Sequence, residues 1–233
     1  LRNLNLPKGE GVYGIVGNYA SYEDSYKSLK EALLHGGLHH GLRVNVQWIE
    51  AENVTQASAH QELREVDGIL VPGGFGERGI EGKIEAIRYA RENKVPYFGI
   101  RLGMQTMVIE FARNVCGLTD AHSTEFEPKT PHRVFFILRE LTGVEELGGT
   151  MRLGAWPCRI APDSRAWMAY EKDEVTERHR HRYEFNREYD EAIQDSGLKI
   201  SAETPDGTYV EIGEAQAHDI TGISSVVHNA PSV

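Results

Sequence analysis

The residues with the greatest potential for chemistry lie in Phe98-Gly99-Ile100-Arg101-Leu102-Gly103-Met104-Gln105. An apolar run enters this stretch and an apolar helical pattern leaves it, with glycines two positions before and two after Arg101. A nucleophile elbow needs that spacing, because the strand-to-helix turn is too sharp to leave room for side chains beside it. The turn pushes its central residue out over the carboxyl edge of a sheet. The N–H of Leu102 opens the helix and points to where a negative oxygen would develop. A second loop, Pro72-Gly73-Gly74-Phe75-Gly76, closes another apolar run and can add a backbone donor from Gly74. The centre of such a turn calls for a nucleophile. Arg101 is not one: its guanidinium stays cationic and has no lone pair to attack with. It is also long enough to fill the pocket in front of the elbow.

Other residues invite weaker readings. The run Arg178-His179-Arg180-His181-Arg182 suggests nucleic acid or a metal, and in a strand His179 and His181 would share a face. No cysteine or carboxylate spacing completes a zinc site there, and Glu174, Glu177 and Glu184 dilute the basic patch. His39-His40, among Gly36, Gly37 and Gly41, reads as an exposed loop. Glu125 alone reads as solvated surface. Ser224 and Ser225 near His228 read as strand hydroxyls, with a Ser-His dyad as the sharper alternative. Cys116 and Cys158 are the only cysteines and read as free thiols, since a disulfide scaffold needs more of them in a shorter chain. No metal or cofactor motif is recognisable, so no cofactor is expected.

The elements that must position these groups follow from periodicity. Val12–Gly17, Gly68–Val71 and Pro96–Ile100 are short apolar runs of the buried parallel-strand kind, and Arg43–Ile49 alternates as a strand does. Asp24–Leu34, Ile80–Asn93 and Leu102–Val115 carry helical spacing, and Gln61–Val66 does so weakly. Strands alternating with helices predict a parallel sheet covered on both faces. After Gly117 the pattern shifts to shorter strands: Arg133–Leu138, Thr150–Leu153, Trp156–Ile160, Leu198–Ala202 and Thr208–Ile212. Part of this region is expected to be antiparallel, with Pro205-Asp206-Gly207 as a hairpin turn. The expected fold is therefore α/β, a three-layer sandwich with a mostly parallel central sheet and a smaller antiparallel one.

The 233 residues suit a single domain, with residues 1–10 reading as a linker remnant. No apolar run reaches the roughly 18 residues that cross a bilayer, and the first residues do not resemble a signal peptide. The formal charge of −10 gives no long-range attraction to nucleic acid or to anionic membranes, so neither is an expected partner.

Pro-Gly-Gly-Phe-Gly upstream and Met-Gln downstream of the elbow make the chain resemble a class I glutamine amidotransferase domain, of the glutaminase kind found in CTP synthase. The family's elbow reads Gly-Ile-Cys-Leu-Gly-Met-Gln. The resemblance runs through Gly14–Gly17, Asp24–Tyr26, Gly79–Lys83, Ser123–Phe126, Gly148–Gly154 and Glu177–Glu184. It implies glutamine and a separate synthetase domain as partners, and the protein is expected to be cytoplasmic; the fixed charge of Arg101 at a helix start makes a small anion at the elbow the alternative ligand. It also implies that Arg101 stands at the nucleophile position and that Gly74 and Leu102 give the oxyanion donors. Gly73, Phe75, Gln105, Glu125, Arg182 and Tyr183 would bind substrate, with Arg182 on its carboxylate. Counted without gaps, the family's base falls on Val227 and its orienting carboxylate on Asn229, with His228 beside the lost base; with a gap that puts His228 at the base position, the orienting carboxylate falls on Ala230 and is still missing. Decay of a natural enzyme, an altered scaffold with a new active site, and a glutaminase with a relocated base all remain open on these residues. The first fits best, since the losses fall on the reacting groups.

Overall fold

The computed structural model describes residues 7–18, 26–74, 76–137 and 151–224. The first half alternates strand and helix: β1 (Gly9–Gly17), α1 (Lys27–His40), β2 (Leu42–Glu50), α2 (Ala59–Leu63), β3 (Gly68–Val71), α3 (Ile80–Asn93), β4 (Tyr97–Ile100) and α4 (Leu102–Asn114). The second half is mostly strand: β5 (Ala121–Ser123), β6 (His132–Ile137), β7 (Arg152–Ile160), α5 (Arg165–Tyr170), β8 (Glu174–His181) and β9 (Tyr183–Phe185). It continues with α6 (Asp190–Asp195), β10 (Lys199–Glu203), β11 (Val210–Ala215) and β12 (Ile220–Ile223).

Nine strands form one sheet in the order β2-β1-β3-β4-β12-β11-β10-β7-β8. Pairing is parallel from β2 to β12 and antiparallel from β12 to β8. The expected α/β class, with a large sheet and a small second one, is what the chain adopts. The antiparallel strands mostly extend the large sheet, and the small sheet β5-β6-β9 is itself mixed.

Alternate residues of the parallel strands enter opposite cores. Val16, Ile69, Val71 and Tyr97 face α3 and α4, where Ile80, Ile84, Ile87, Met107 and Phe111 are buried. Ile15, Leu70, Phe98 and Ile100 face α1 and α5 through Leu29, Leu33, Ala166 and Tyr170. Burial on both faces is why these strands read as unbroken apolar runs.

Several expectations shift. β1 begins inside the stretch read as linker, because Gly9 and Glu10 pair with Leu42 and Arg43. The first helix runs on to His40, so His39 and His40 form its exposed last turn, not a loop. The weak helix at Gln61–Val66 closes earlier, as Ala59–Leu63. The pieces expected at Thr150–Leu153 and Trp156–Ile160 join into β7, which continues through Gly154 at φ +85°. The final hairpin strand shifts to Val210–Ala215, beyond the expected turn.

Candidate functional site

β4 ends at Ile100 and α4 starts at Leu102, so Arg101 alone makes the turn, at φ 53° and ψ −102°. That conformation is sparsely populated for a residue with a side chain and costs on the order of 1–3 kcal/mol. The neighbours explain why it holds. The Arg101 amide donates to the carbonyl of Ile223 on β12 (2.8 Å), and the Arg101 carbonyl accepts from Gln105 (2.9 Å) to close the first turn of α4. A Cβ at Gly99 would lie 2.6 Å from the Gly103 carbonyl oxygen, and one at Gly103 would lie 2.2 Å from that of Val71. The two glycines let β3, β4 and α4 meet closely enough to force the turn.

In front of the elbow is a cavity of about 380 Å³. Arg101 lines it instead of filling it, contrary to the expectation from its length. Its side chain lies along Gly73, with Cδ 3.4 Å from where a Cβ would stand, and its guanidinium donates to the Arg180 carbonyl. Gly74, Leu102, Gln105, Glu125, Arg182 and Tyr183 line the same cavity, so the structure brings these predicted residues together. Gly73 joins them through its contact with Arg101. Phe75, Val227, His228 and Asn229, and Ser225 of the dyad reading, lie outside the described residues. Ser224 is described: it lines the cavity, and its amide donates to the Glu211 carbonyl (2.8 Å).

Local structure explains how the charged groups reach the cavity. Glu125 sits in a tight turn after β5, where the Ser123 hydroxyl accepts from the Glu125 amide (3.3 Å) and the Ser123 carbonyl from Phe126 (3.1 Å). Arg182 is the one residue between β8 of the large sheet and β9 of the small one. Burial raises the Glu125 carboxyl, opposed by the Arg101 charge, a hydrogen bond from Gln105 and the Arg182 charge. Burial also lowers the Arg101 guanidinium, as does the Arg180 charge, while Glu125 raises it. A guanidinium begins so far above neutrality that Arg101 remains a cation.

Beneath the cavity is a buried ionic cluster that sequence reasoning missed. Arg152 is 2% exposed. It donates to Glu184 Oε1 (3.0 Å) and to Glu211, and its guanidinium lies 4.7 Å from both the Trp156 and Tyr209 ring centroids. His179 Nε2 is 3.3 Å from Glu211 Oε2, and His181 Nε2 is 2.7 Å from Glu184 Oε1. The two imidazoles do share the inner face of β8, as the spacing implied, with ring centroids 5.2 Å apart. They face carboxylates, and no cluster of metal-ligating groups occurs among the described residues. Burial first, then Arg152, His181 and Arg101, push the His179 imidazole down to about 3. Glu211 is raised by burial, with Arg152 opposing. Removing Arg152 would leave two carboxylates buried without their cation, a loss of about 3–5 kcal/mol. The available signal was parity: Arg152 shares a strand face with Cys158 and Ile160, both buried. Glu184, read as diluting a basic patch, instead lies in the interior at 2% exposure.

The remaining sequence candidates lie apart. Cys116, just past α4, is half-buried and Cys158 is buried in β7; both are free. Among the described residues, no helix is long and apolar enough to cross a membrane.

The model of the family "Glutamine amidotransferase class-I" matches residues 22–223. CTP synthase of Koribacter versatilis is 64% identical over 215 residues, covering 91% of this chain and 38% of that protein. CTP synthase of Acidobacterium capsulatum is 65% identical over 212 residues, covering 91% of this chain and 39% of that protein. The chain thus spans about two fifths of the length of these curated relatives. Among solved structures, the glutaminase domain of Trypanosoma brucei CTPS with bound acivicin superposes with a TM-score of 0.85 at 36% identity, covering 92% of this chain and 85% of that one. A glutamine amidotransferase from Thermotoga maritima, at 10% identity and a TM-score of 0.57 over 92% of this chain and 75% of that one, shares the fold alone.

Proposed function

Because the chain belongs to the class-I glutamine amidotransferase family, in the branch of CTP synthase glutaminase domains, we propose that it retains that family's pocket as a binding site and has lost its glutamine hydrolysis. The observation that carries this reading is Arg101 at the centre of the elbow, with its guanidinium lining the cavity that Gln105 and Glu125 also line. Amide hydrolysis there needs a nucleophile that forms an acyl intermediate, a base to take its proton and a group to orient the base. Arg101 supplies none of these. The family role, hydrolysing glutamine and passing ammonia to a synthetase domain that makes CTP, would then rest on a thiol this chain does not carry at the elbow.

The elbow acquires a different capability. A fixed cation stands at the start of α4, where the helix adds partial positive charge and N–H groups. Arg180 and Arg182 line the same space. A site that in the family stabilises a transient oxyanion becomes one that holds a resting anion. Glutamine, or a small carboxylate, phosphate or sulfate, is the ligand class; nucleic acid and membrane surfaces are not.

Two measurements test the reading. Ammonia release that saturates with glutamine and disappears on heat inactivation would overturn the loss of hydrolysis. Titration with sulfate or a small carboxylate, followed by backbone amide shifts, tests the binding site. No saturable shift at Leu102 or Gly74 up to roughly tens of millimolar would overturn the anion site.

A further inference from the structure

We infer that the cavity beside Arg101 selects an amino acid with two carboxylates, of the glutamate class, over the corresponding side-chain amide. This rests on the binding-pocket reading above and goes on to name the ligand's charge pattern. Among the described lining residues, three guanidiniums and one carboxylate are present: Arg101, Arg180, Arg182 and Glu125. Glu125 lies within electrostatic reach of both Arg101 and Arg182. A ligand complementary to that arrangement carries one ammonium, placed at Glu125, and two anionic groups, one towards Arg101 and one towards Arg182.

The chemistry of the donors decides between acid and amide. A guanidinium offers only N–H donors, in a planar fork that fits the two oxygens of a carboxylate. One Arg101 donor serves the Arg180 carbonyl, which fixes the guanidinium against the cavity wall. A carboxamide would present a single neutral oxygen to that group and turn its own N–H donors towards other donors. A simple dianion such as sulfate fits less well for the opposite reason: Glu125 would repel it and keep no cation of the ligand's. Met104, Phe135 and Ile137 line the same cavity and provide apolar wall for a methylene chain.

The test is calorimetric or NMR titration of the whole chain with four probes: L-glutamate, L-glutamine, glutarate and sulfate. L-glutamate should bind about tenfold more tightly than L-glutamine, the difference expected from one charge-assisted pair. In Arg101→Gln that ratio should fall to about twofold or less, and in Glu125→Gln the advantage of L-glutamate over glutarate should vanish. Wild-type binding of L-glutamine as tight as that of L-glutamate overturns the inference, whatever the variants do. Persistence of the full preference in a folded Arg101→Gln protein overturns it too. Sulfate binding without any glutamate preference defeats this inference and leaves the anion pocket standing, whereas failure of all four probes defeats both.

Discussion

The guanidinium of Arg101 donates to the backbone carbonyl of Arg180, tying the elbow to the edge strand β8 across 79 residues of sequence. The residue at the centre of the elbow is therefore part of the cavity wall. Its neighbours on that wall, Arg180 in β8 and Arg182 just after it, flank His181, which is hydrogen-bonded to the buried Glu184 carboxylate (2.7 Å).

A thiol placed at the elbow should not by itself give glutamine hydrolysis. Arg101→Cys supplies one member of a set that acts as a unit, while on the ungapped count Val227 and Asn229 would take the base and orienter positions. Glutaminase turnover in this variant is expected to stay more than about tenfold below that of an intact relative. A rate within that margin would show that a base operates elsewhere, with His228 the first residue to replace.

Strain and bonding at the elbow can be separated by two substitutions. Arg101→Ala removes the bond to Arg180 and keeps the strain of a side chain at φ 53°, whereas Arg101→Gly removes both the bond and the strain. Glycine's extra unfolded-state freedom costs it about 0.4–1 kcal/mol, less than most of the 1–3 kcal/mol range for such strain. The glycine variant should unfold at higher urea concentration than the alanine variant, by about 1 kcal/mol. Equal midpoints would mean the turn is relaxed.

Gly103 lies in the first turn of α4, where alanine would ordinarily gain about 1 kcal/mol of helix propensity. Its Cβ would arrive 2.2 Å from the Val71 carbonyl oxygen, which is backbone and cannot swing aside. The clash should win, and Gly103→Ala should lose about 2 kcal/mol or more in denaturant unfolding. A neutral or stabilising result would contradict the close packing of β3 against α4.

His179 makes a pH prediction with a definite sign. Folded, its imidazole stays neutral down to about 3; unfolded, it takes a proton below its ordinary value of 6.5. The unfolded state therefore binds more protons in that window, and stability falls as pH falls. His179→Gln removes this contribution, so the stability gap between wild type and variant should shrink by about 2 kcal/mol between pH 7 and pH 5. Carboxylates raised by burial, such as Glu211, act in the opposite sense, which is why the difference between the two proteins is the quantity to follow. A constant gap would refute the neutral, buried histidine.

What the sequence determined by itself is short-range. The glycines at 99 and 103, the apolar runs ending at Val71 and Ile100, and the helical spacing of Ile80, Ile84 and Ile87 each express a constraint within a few residues. The elbow, the parallel half of the sheet and α3 at Ile80–Asn93 could accordingly be placed from them. The tertiary structure decided everything that depends on which strands lie side by side. Arg152 meets Glu211 because β7, through β10, neighbours β11, and it meets Glu184 because the chain turns at Arg182 from β8, the partner of β7, into β9 of the small sheet. Those partners are 32 and 59 residues away, too far for spacing to reveal. Read locally, Arg178 to Arg182 is a run of basic residues. In the sheet, alternation sends His179 and His181 inward to carboxylates and leaves Arg178, Arg180 and Arg182 exposed, two of them on the cavity. A buried charge is tolerated only where a partner meets it, and for this cluster the sheet order and the turn from β8 into β9 bring the partners together.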